Sequence, residues 1–251
     1  MELLEILNED GSGTGVYKER AEIHHDGDLH GSSHVWVIGD WKWKDNFSVL
    51  LQKRSPDKDA FPNCFDTSCA GHVAKGETFD STALRELEEE LGIRPKAKPL
   101  LLFDHRVGWE AEFHGRRFVN NEINRVYLLY EEHIDLDRFQ KEEIGGLCWQ
   151  NAKEVLDALR AADARYCIQL PLFERFMGTT AGMRLHSIHV YECWARPDSH
   201  RESGFDEWTC HKTHGFFGTE EAARNQGEEY AEEVRKSDGC SCLKSVEYWL
   251  S

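Results

Sequence analysis

The stretch "GHVAKGETFDSTALRELEEELGI", Gly71 to Ile93, decides how this chain is read. Three glutamates, Glu88, Glu89 and Glu90, stand side by side in a segment with helical character. Asp80 is a residue type that caps helix N-termini, and Gly92 one that ends helices, so the spacing predicts a helix from about Asp80 to Leu91. Leu84, Leu87 and Leu91 fall at i, i+3 and i+7 and form a stripe to bury. Glu86, Glu89 and Glu90 fall at i, i+3 and i+4, so they share another face and converge on one point. Like charges at that spacing cost an isolated helix about 0.2–0.5 kcal/mol per pair. A divalent cation removes that cost. Three carboxylates, with water and phosphate oxygens completing the shell, suit Mg²⁺, a hard ion that keeps part of its hydration; Mn²⁺ is the natural substitute.

The rest of the composition agrees with a small anionic substrate and a metal. The chain has 251 residues, a formal net charge of −16 and a pI near 5.2. So acidic a surface repels nucleic-acid backbones and anionic membranes, and neither is an expected partner. A diphosphate substrate would need a local basic pocket or a bridging metal. The opening "MELLEILNEDGSGTG" has no basic segment followed by an apolar run, and no window approaches the ~20 apolar residues of a membrane span. A cytoplasmic protein is expected. Eight cysteines without a Cys-x-x-Cys pair read as reduced packing residues.

Along the chain, "VWVIGD" (35–40) and "FSVLLQKRS" (47–55) read as a hairpin, followed by a loop broken by Pro56 and Pro62. Residues 99–109 and 123–132 are strand candidates. Residues 151–162 form an amphipathic helix with Val155, Leu156 and Leu159 on one face. Composition shifts to Gly and Thr around 176–187, which puts a boundary between 1–177 and 178–251. The second part reads strand, strand, helix, strand, with Thr219 capping the helix.

The spacing from Gly71 to Ile93 resembles the Nudix box, G-x5-E-x7-R-E-U-x-E-E-x-G-U with U aliphatic, and every fixed position is filled. The resemblance implies an α/β/α sandwich with a mixed sheet, here with a small α+β (ββαβ) extension. It implies that Glu86, Glu89 and Glu90 are metal ligands, and that Arg85 and Glu77 pair to fix the helix against its loop. It further implies hydrolysis of a diphosphate linked to another moiety, X, by attack of water on phosphorus. Glu89 is the expected general base, with Glu122, Glu142 and Glu143 in reserve.

Beyond the box, "EIHHDGDLHGSSHVWVI" and "LLQKRSPDKDAFPNCFDTSCAGHVAKGE" resemble the isopentenyl-diphosphate isomerase-like branch of that superfamily. The counterparts of Arg54 and Lys58 grip the diphosphate in the isomerases. Without the resemblance both read as solvated surface charges. The isomerases carry a catalytic cysteine immediately before the Gly-His, where this chain has Ala70; Cys69 is one residue early and, on a strand, on the other face. Of their later Glu-x-Glu only Glu122 is kept, after Asn120 and Asn121. His30 and His72 fall in register with isomerase metal histidines, and His24 is offset by one. Hydrolysis is therefore expected over isomerisation, with His72 beside the substrate. A third reading, a silent nucleotide-sensing module, is at odds with a complete box.

In the extension, Cys210, His211, His214, Cys240 and Cys242 offer zinc-type ligands at spacings that fit no structural zinc knuckle. Trp194, Phe205, Trp208, Tyr230 and Trp249 read as its small core; they could instead mark the surface of a homodimer. Trp109 and Trp149 are candidates for stacking on a base, each also readable as a core or rim aromatic.

Overall fold

The computed structural model describes residues 2–43, 46–58, 60–95, 98–131, 133–194, 207–237 and 243–250. Two compact units divide between Ala181 and Gly182. The first opens with an antiparallel pair, β1 (Leu3–Leu7) and β2 (Gly13–Glu19), and a short helix, α1 (Arg20–Asp26). Its main sheet contains β3 (His30–Trp43), β4 (Asn46–Arg54), β5 (Phe65–Asp66), β6 (Cys69–His72), β7 (Leu100–Phe113), β8 (Arg116–Tyr130) and β9 (Ile144–Asn151). The helices are α2 (Phe79–Leu91), α3 (Ala152–Arg160) and α4 (Leu170–Thr180).

The sheet order is β5-β4-β3-β8-β7, with β6 paired to β3 and β9 to β4. β3 and β8 run parallel and the other pairs antiparallel, so the sheet is mixed, as expected. The expected hairpin is β3–β4.

Alternation along β3 builds the layers. Val35 and Val37 turn to one face and are buried with Leu50, Cys69 and the Ala83, Leu87 and Leu91 side chains of α2. Trp36 turns to the other face, where Phe173 and Phe176 of α4 meet its ring at centroid distances of 5.2 and 5.0 Å. Helices thus cover both faces. Pro171 sits in the first turn of α4, where its missing N–H costs no helical hydrogen bond.

Two details of the box helix differ from the sequence reading. Thr78, not Asp80, is the cap: its hydroxyl accepts from the Ser81 N–H at 3.1 Å, and the Ser81 hydroxyl accepts from the Thr78 N–H at 2.8 Å. Asp80 instead accepts a hydrogen bond from the Tyr127 hydroxyl. The buried stripe runs Ala83, Leu87, Leu91, while Leu84 is 40% exposed. Gly92 ends the helix at φ 64°, as expected.

The second unit is a three-stranded antiparallel sheet, β11 (Glu207–Gly218), β10 (Arg184–Trp194), β12 (Leu243–Leu250), with one helix, α5 (Glu220–Ser237). The strand, strand, helix, strand order is the expected one. Thr219 caps α5 by accepting from the Ala222 N–H at 3.1 Å. Ile188, Val190, Phe216 and Phe217 are buried, as are Ala223, Tyr230, Ala231 and Val234 of α5. Tyr230 stacks on His214 at 4.0 Å. Cys240, Cys242 and Phe205, and the side chains of Cys210, His211, Trp194, Trp208 and Trp249, lie outside the described residues.

Candidate active site

The box folds as loop, helix and loop, and one ion pair locks it. Arg85 Nε and Nη2 donate to the two Glu77 carboxylate oxygens at 2.7 and 3.1 Å. Glu77 also accepts from Thr82 Oγ1 at 2.9 Å and the Ala74 N–H at 3.3 Å. The Arg85 guanidinium holds the Glu77 carboxyl below its ordinary range. The remaining Arg85 nitrogen, Nη1, reaches Glu86 Oε1 at 2.8 Å and Glu89 Oε2 at 3.0 Å. One guanidinium therefore gathers three box carboxylates.

The glutamates differ in environment. Glu86 and Glu90 are buried, whereas the Glu89 side chain is 56% exposed. Glu86 lies over Gly71 so closely that a Cβ added there would fall 1.6 Å from its Oε1. Burial pushes the Glu86 carboxyl up, against the pull of Arg85. Burial, with Glu86 adding to it, pushes the Glu90 carboxyl up to about 8. Glu90 Oε2 is buried with no hydrogen-bond partner. An unpartnered buried carboxylate oxygen beside a second crowded carboxylate fits a hard divalent cation.

The basic residues stand at the end of β4, Arg54, and in the loop after it, Lys58. Arg54 donates to Asp66 Oδ2 and the Ala60 carbonyl, both at 3.0 Å. Lys58 pairs with Glu143, so one of the reserve bases is already engaged. Burial lowers the Lys58 pKa, and the nearby positive charge of Arg54 adds to the effect. Glu142 is exposed.

A second cluster forms behind β6. His24, His30, His72 and Glu122 each offer a ligand atom, and these atoms lie within 4.8 Å of one another. His30 Nδ1 lies 2.9 Å from the Asp28 carbonyl and His24 Nδ1 3.3 Å from the Val119 carbonyl. In the tautomer that donates there from Nδ1, each Nε2 would offer an inward lone pair to a cation. Nε2 of His30 and of His72 stand 3.4 and 3.2 Å from Glu122 Oε1, and the Nε2 atoms of all three histidines are buried without a hydrogen-bond partner. Burial pushes the Glu122 carboxyl up, yet the two imidazoles more than offset this and hold it well below the usual range. Burial lowers His24 to about 3 and lowers His72 as well, which favours neutral, ligand-ready rings.

The two clusters lie on opposite faces of β6. Gly71 pairs with Ser33 and faces Glu86 of α2; His72 pairs with Ser32 and faces away. Glu122 therefore joins the histidines rather than the box glutamates, a placement the sequence reading of it as a reserve base missed. His24 does join the set, despite its offset, because it lies on a helix rather than a strand. Cys69 faces the α2 core, fully buried, with its thiol pushed well up by burial. Trp149 packs against that core and Trp109 does not.

A family model described as NUDIX domain matches residues 35–170. Nudix hydrolase 3 of Arabidopsis thaliana is 39% identical over 169 residues, covering 66% of this chain and 21% of the relative, so the chain spans about a fifth of that protein. An isopentenyl-diphosphate Delta-isomerase of Saccharopolyspora erythraea is 30% identical over 150 residues, covering 59% of this chain and 72% of the relative. The solved structure of DR0079 from Deinococcus radiodurans superposes with a TM-score of 0.52 at 21% identity, covering 69% of this chain and 98% of that one, which is likeness of fold.

Proposed function

The chain belongs to the Nudix family, and from that premise we propose that it hydrolyses a diphosphate linked to a second moiety, X, with a divalent cation at the box glutamates. The observation that carries this is the buried, unpartnered Oε2 of Glu90 beside a Glu86 carboxylate seated on bare Gly71. Glu86, Glu89 and Glu90 would hold Mg²⁺, or Mn²⁺ in its place. Such an ion neutralises charge on phosphate oxygens and lowers the pKa of bound water.

The chain's own residues supply the rest. Arg85, fixed by Glu77, holds Glu86 and Glu89 in register. Glu89 is the solvent-exposed member and takes the proton of the attacking water. Arg54 and Lys58 grip the diphosphate by exchanging Asp66 and Glu143 for phosphate oxygens. His72, expected beside the substrate, instead faces away from the box glutamates into the histidine–Glu122 cluster. Among the described residues no helix is long and apolar enough to cross a membrane, and Cys64, Cys69, Cys148 and Cys167 are free thiols. Both fit the cytoplasmic reading.

The histidine–Glu122 cluster favours isomerisation as a second reading. Against it, the buried Cys69 thiol points into the α2 core and Ala70 has no acid to offer. The test is a mass-spectrometric time course of the full chain with Mg²⁺ and a pool of organic diphosphates, isopentenyl diphosphate included. Monophosphate products that fall at least ~100-fold in Glu89→Gln are expected, by analogy with loss of a key charged group in a site. Isomer formation without cleavage, or equal turnover by Glu89→Gln, would overturn the hydrolase assignment.

A further inference from the structure

Both cations of the basic grip are capped in the resting chain, each by a carboxylate that is anchored independently of it. Arg54 Nη1 donates to Asp66 Oδ2 at 3.0 Å, and Lys58 pairs with Glu143. Asp66 lies on β5, and its other oxygen, Oδ1, accepts from the Thr67 N–H at 2.8 Å. Glu143 is pinned through its main chain. Its carbonyl accepts from the Ser55 N–H at 3.0 Å, and its N–H donates to the Gln140 carbonyl at 3.2 Å. Neither carboxylate needs its cation in order to stay where it is.

The cations are held equally well without the carboxylates. The Arg54 N–H donates to the Cys64 carbonyl at 2.9 Å, and its carbonyl accepts from the Asn63 N–H at 3.2 Å. Its Nε donates to the Ala60 carbonyl at 3.0 Å. The Lys58 N–H donates to the Ser55 carbonyl at 3.2 Å. The main-chain bond from Ser55 to Glu143 already joins the loop after β4 to the segment before β9. The Lys58–Glu143 ion pair therefore adds no connection that the backbone lacks.

Charge shows what the pairs do instead. Two cations against two carboxylates leave the grip without net charge, and Lys58 also lies within electrostatic reach of the buried Glu90. An incoming anion meets no net attraction there, on a chain whose formal charge is −16. The four side chains are between 21 and 39% exposed, and ion pairs so open to solvent are weak. Phosphate oxygens make stronger charge-assisted bonds to Arg and Lys and can displace them. We propose that Asp66 and Glu143 are built-in competitors of the diphosphate: they occupy Arg54 and Lys58 when the site is empty, give way to phosphate oxygens, and return to drive the products out. That the displacing anion is a diphosphate rests on the hydrolase reading above.

The role carries a sign. Removing a partner that orients a cation weakens anion binding, whereas removing a competitor tightens it. The test is calorimetric titration of the full chain, at fixed Mg²⁺, with methylenediphosphonate, a diphosphate that water cannot cleave. Glu143→Gln and Asp66→Asn keep shape and lose charge, and each should tighten binding roughly fivefold, the scale of one partly exposed ion pair. In a Lys58→Ala background, Glu143→Gln should change nothing while Asp66→Asn still tightens, because each competitor acts through its own cation. In turnover both variants should lower KM, and inorganic phosphate should inhibit them more strongly than wild type. Weaker or unchanged methylenediphosphonate binding in both variants would overturn the proposal, as would tightening by Glu143→Gln that survives the loss of Lys58. A kcat at least ~100-fold lower in Glu143→Gln with affinity unchanged would make Glu143 the base and remove it as a competitor. Tightening in a chain that cleaves no organic diphosphate would keep the competitors and sink the hydrolase reading.

Discussion

A bare glycine decides how close the helix may come. At Gly71 the missing side chain is occupied by Glu86, whose Oε1 stands 1.6 Å from where a Cβ would be. The obstacle is the end of a flexible side chain, so Gly71→Ala should fold and lose little thermal stability by turning Glu86 aside. Turnover should nevertheless fall by at least ~100-fold, because a displaced ligand is worse than the outer-partner losses of 10–100-fold seen around metal sites. Wild-type kinetics in Gly71→Ala would remove Glu86 from the metal set. The pairing of Glu77 with Arg85 was legible in the sequence through the resemblance to the box. Glu122 was not. Its burial against His30 and His72 depends on the pairing of β3 with both β6 and β8, which no local pattern announces.

Helix α2 shows what an element adds to its residues. The stretch 78–81 offers Thr78, Asp80 and Ser81, all able to cap, and sequence alone does not rank them. The fold does, because the Tyr127 hydroxyl engages Asp80 and leaves the reciprocal Thr78–Ser81 pair at the helix start. Thr78→Ala should therefore cost about 1 kcal/mol, measured by denaturant unfolding, whereas Asp80→Ala should spare the cap. An unchanged midpoint in Thr78→Ala would contradict the assignment. The misplaced Leu84 has a similar origin: the buried stripe steps by four, through 83, 87 and 91, and a leucine at 84 looks equivalent until the sheet fixes the rotation. β9, with Gly145 and Gly146 and no clean alternation, gave little signal at all.

For the whole molecule, the clusters on either side of β6 respond to pH in opposite senses. Glu90 is raised in the folded state from 4.5 to about 8, so its contribution is fully present below 4.5 and lost as pH rises through 8. His24 is depressed from 6.5 to about 3, so its contribution is present above 6.5 and lost as pH falls. Below 6.5 the two oppose each other; from about 6.5 to 8 the Glu90 effect stands alone, with Glu86 raised in the same sense. The metal-free chain should melt at progressively lower temperature over that window, and excess Mg²⁺ should flatten the decline. A Tm independent of pH in chelator would deny Glu90 its buried charge. The box was legible because every position of one long spacing is filled, and the mixed sheet through the resemblance that this spacing carries. The back-to-back arrangement was not, because it follows from four residues, Cys69–His72, lying between two surfaces. That strand acts as a reading frame. Deleting one residue from it would bring the imidazole of His72 against α2, where only a hydrogen fits, and Gly71 into the histidine set. Neither face can drift without the other, so the length of this short segment is fixed more tightly than any one of its side chains.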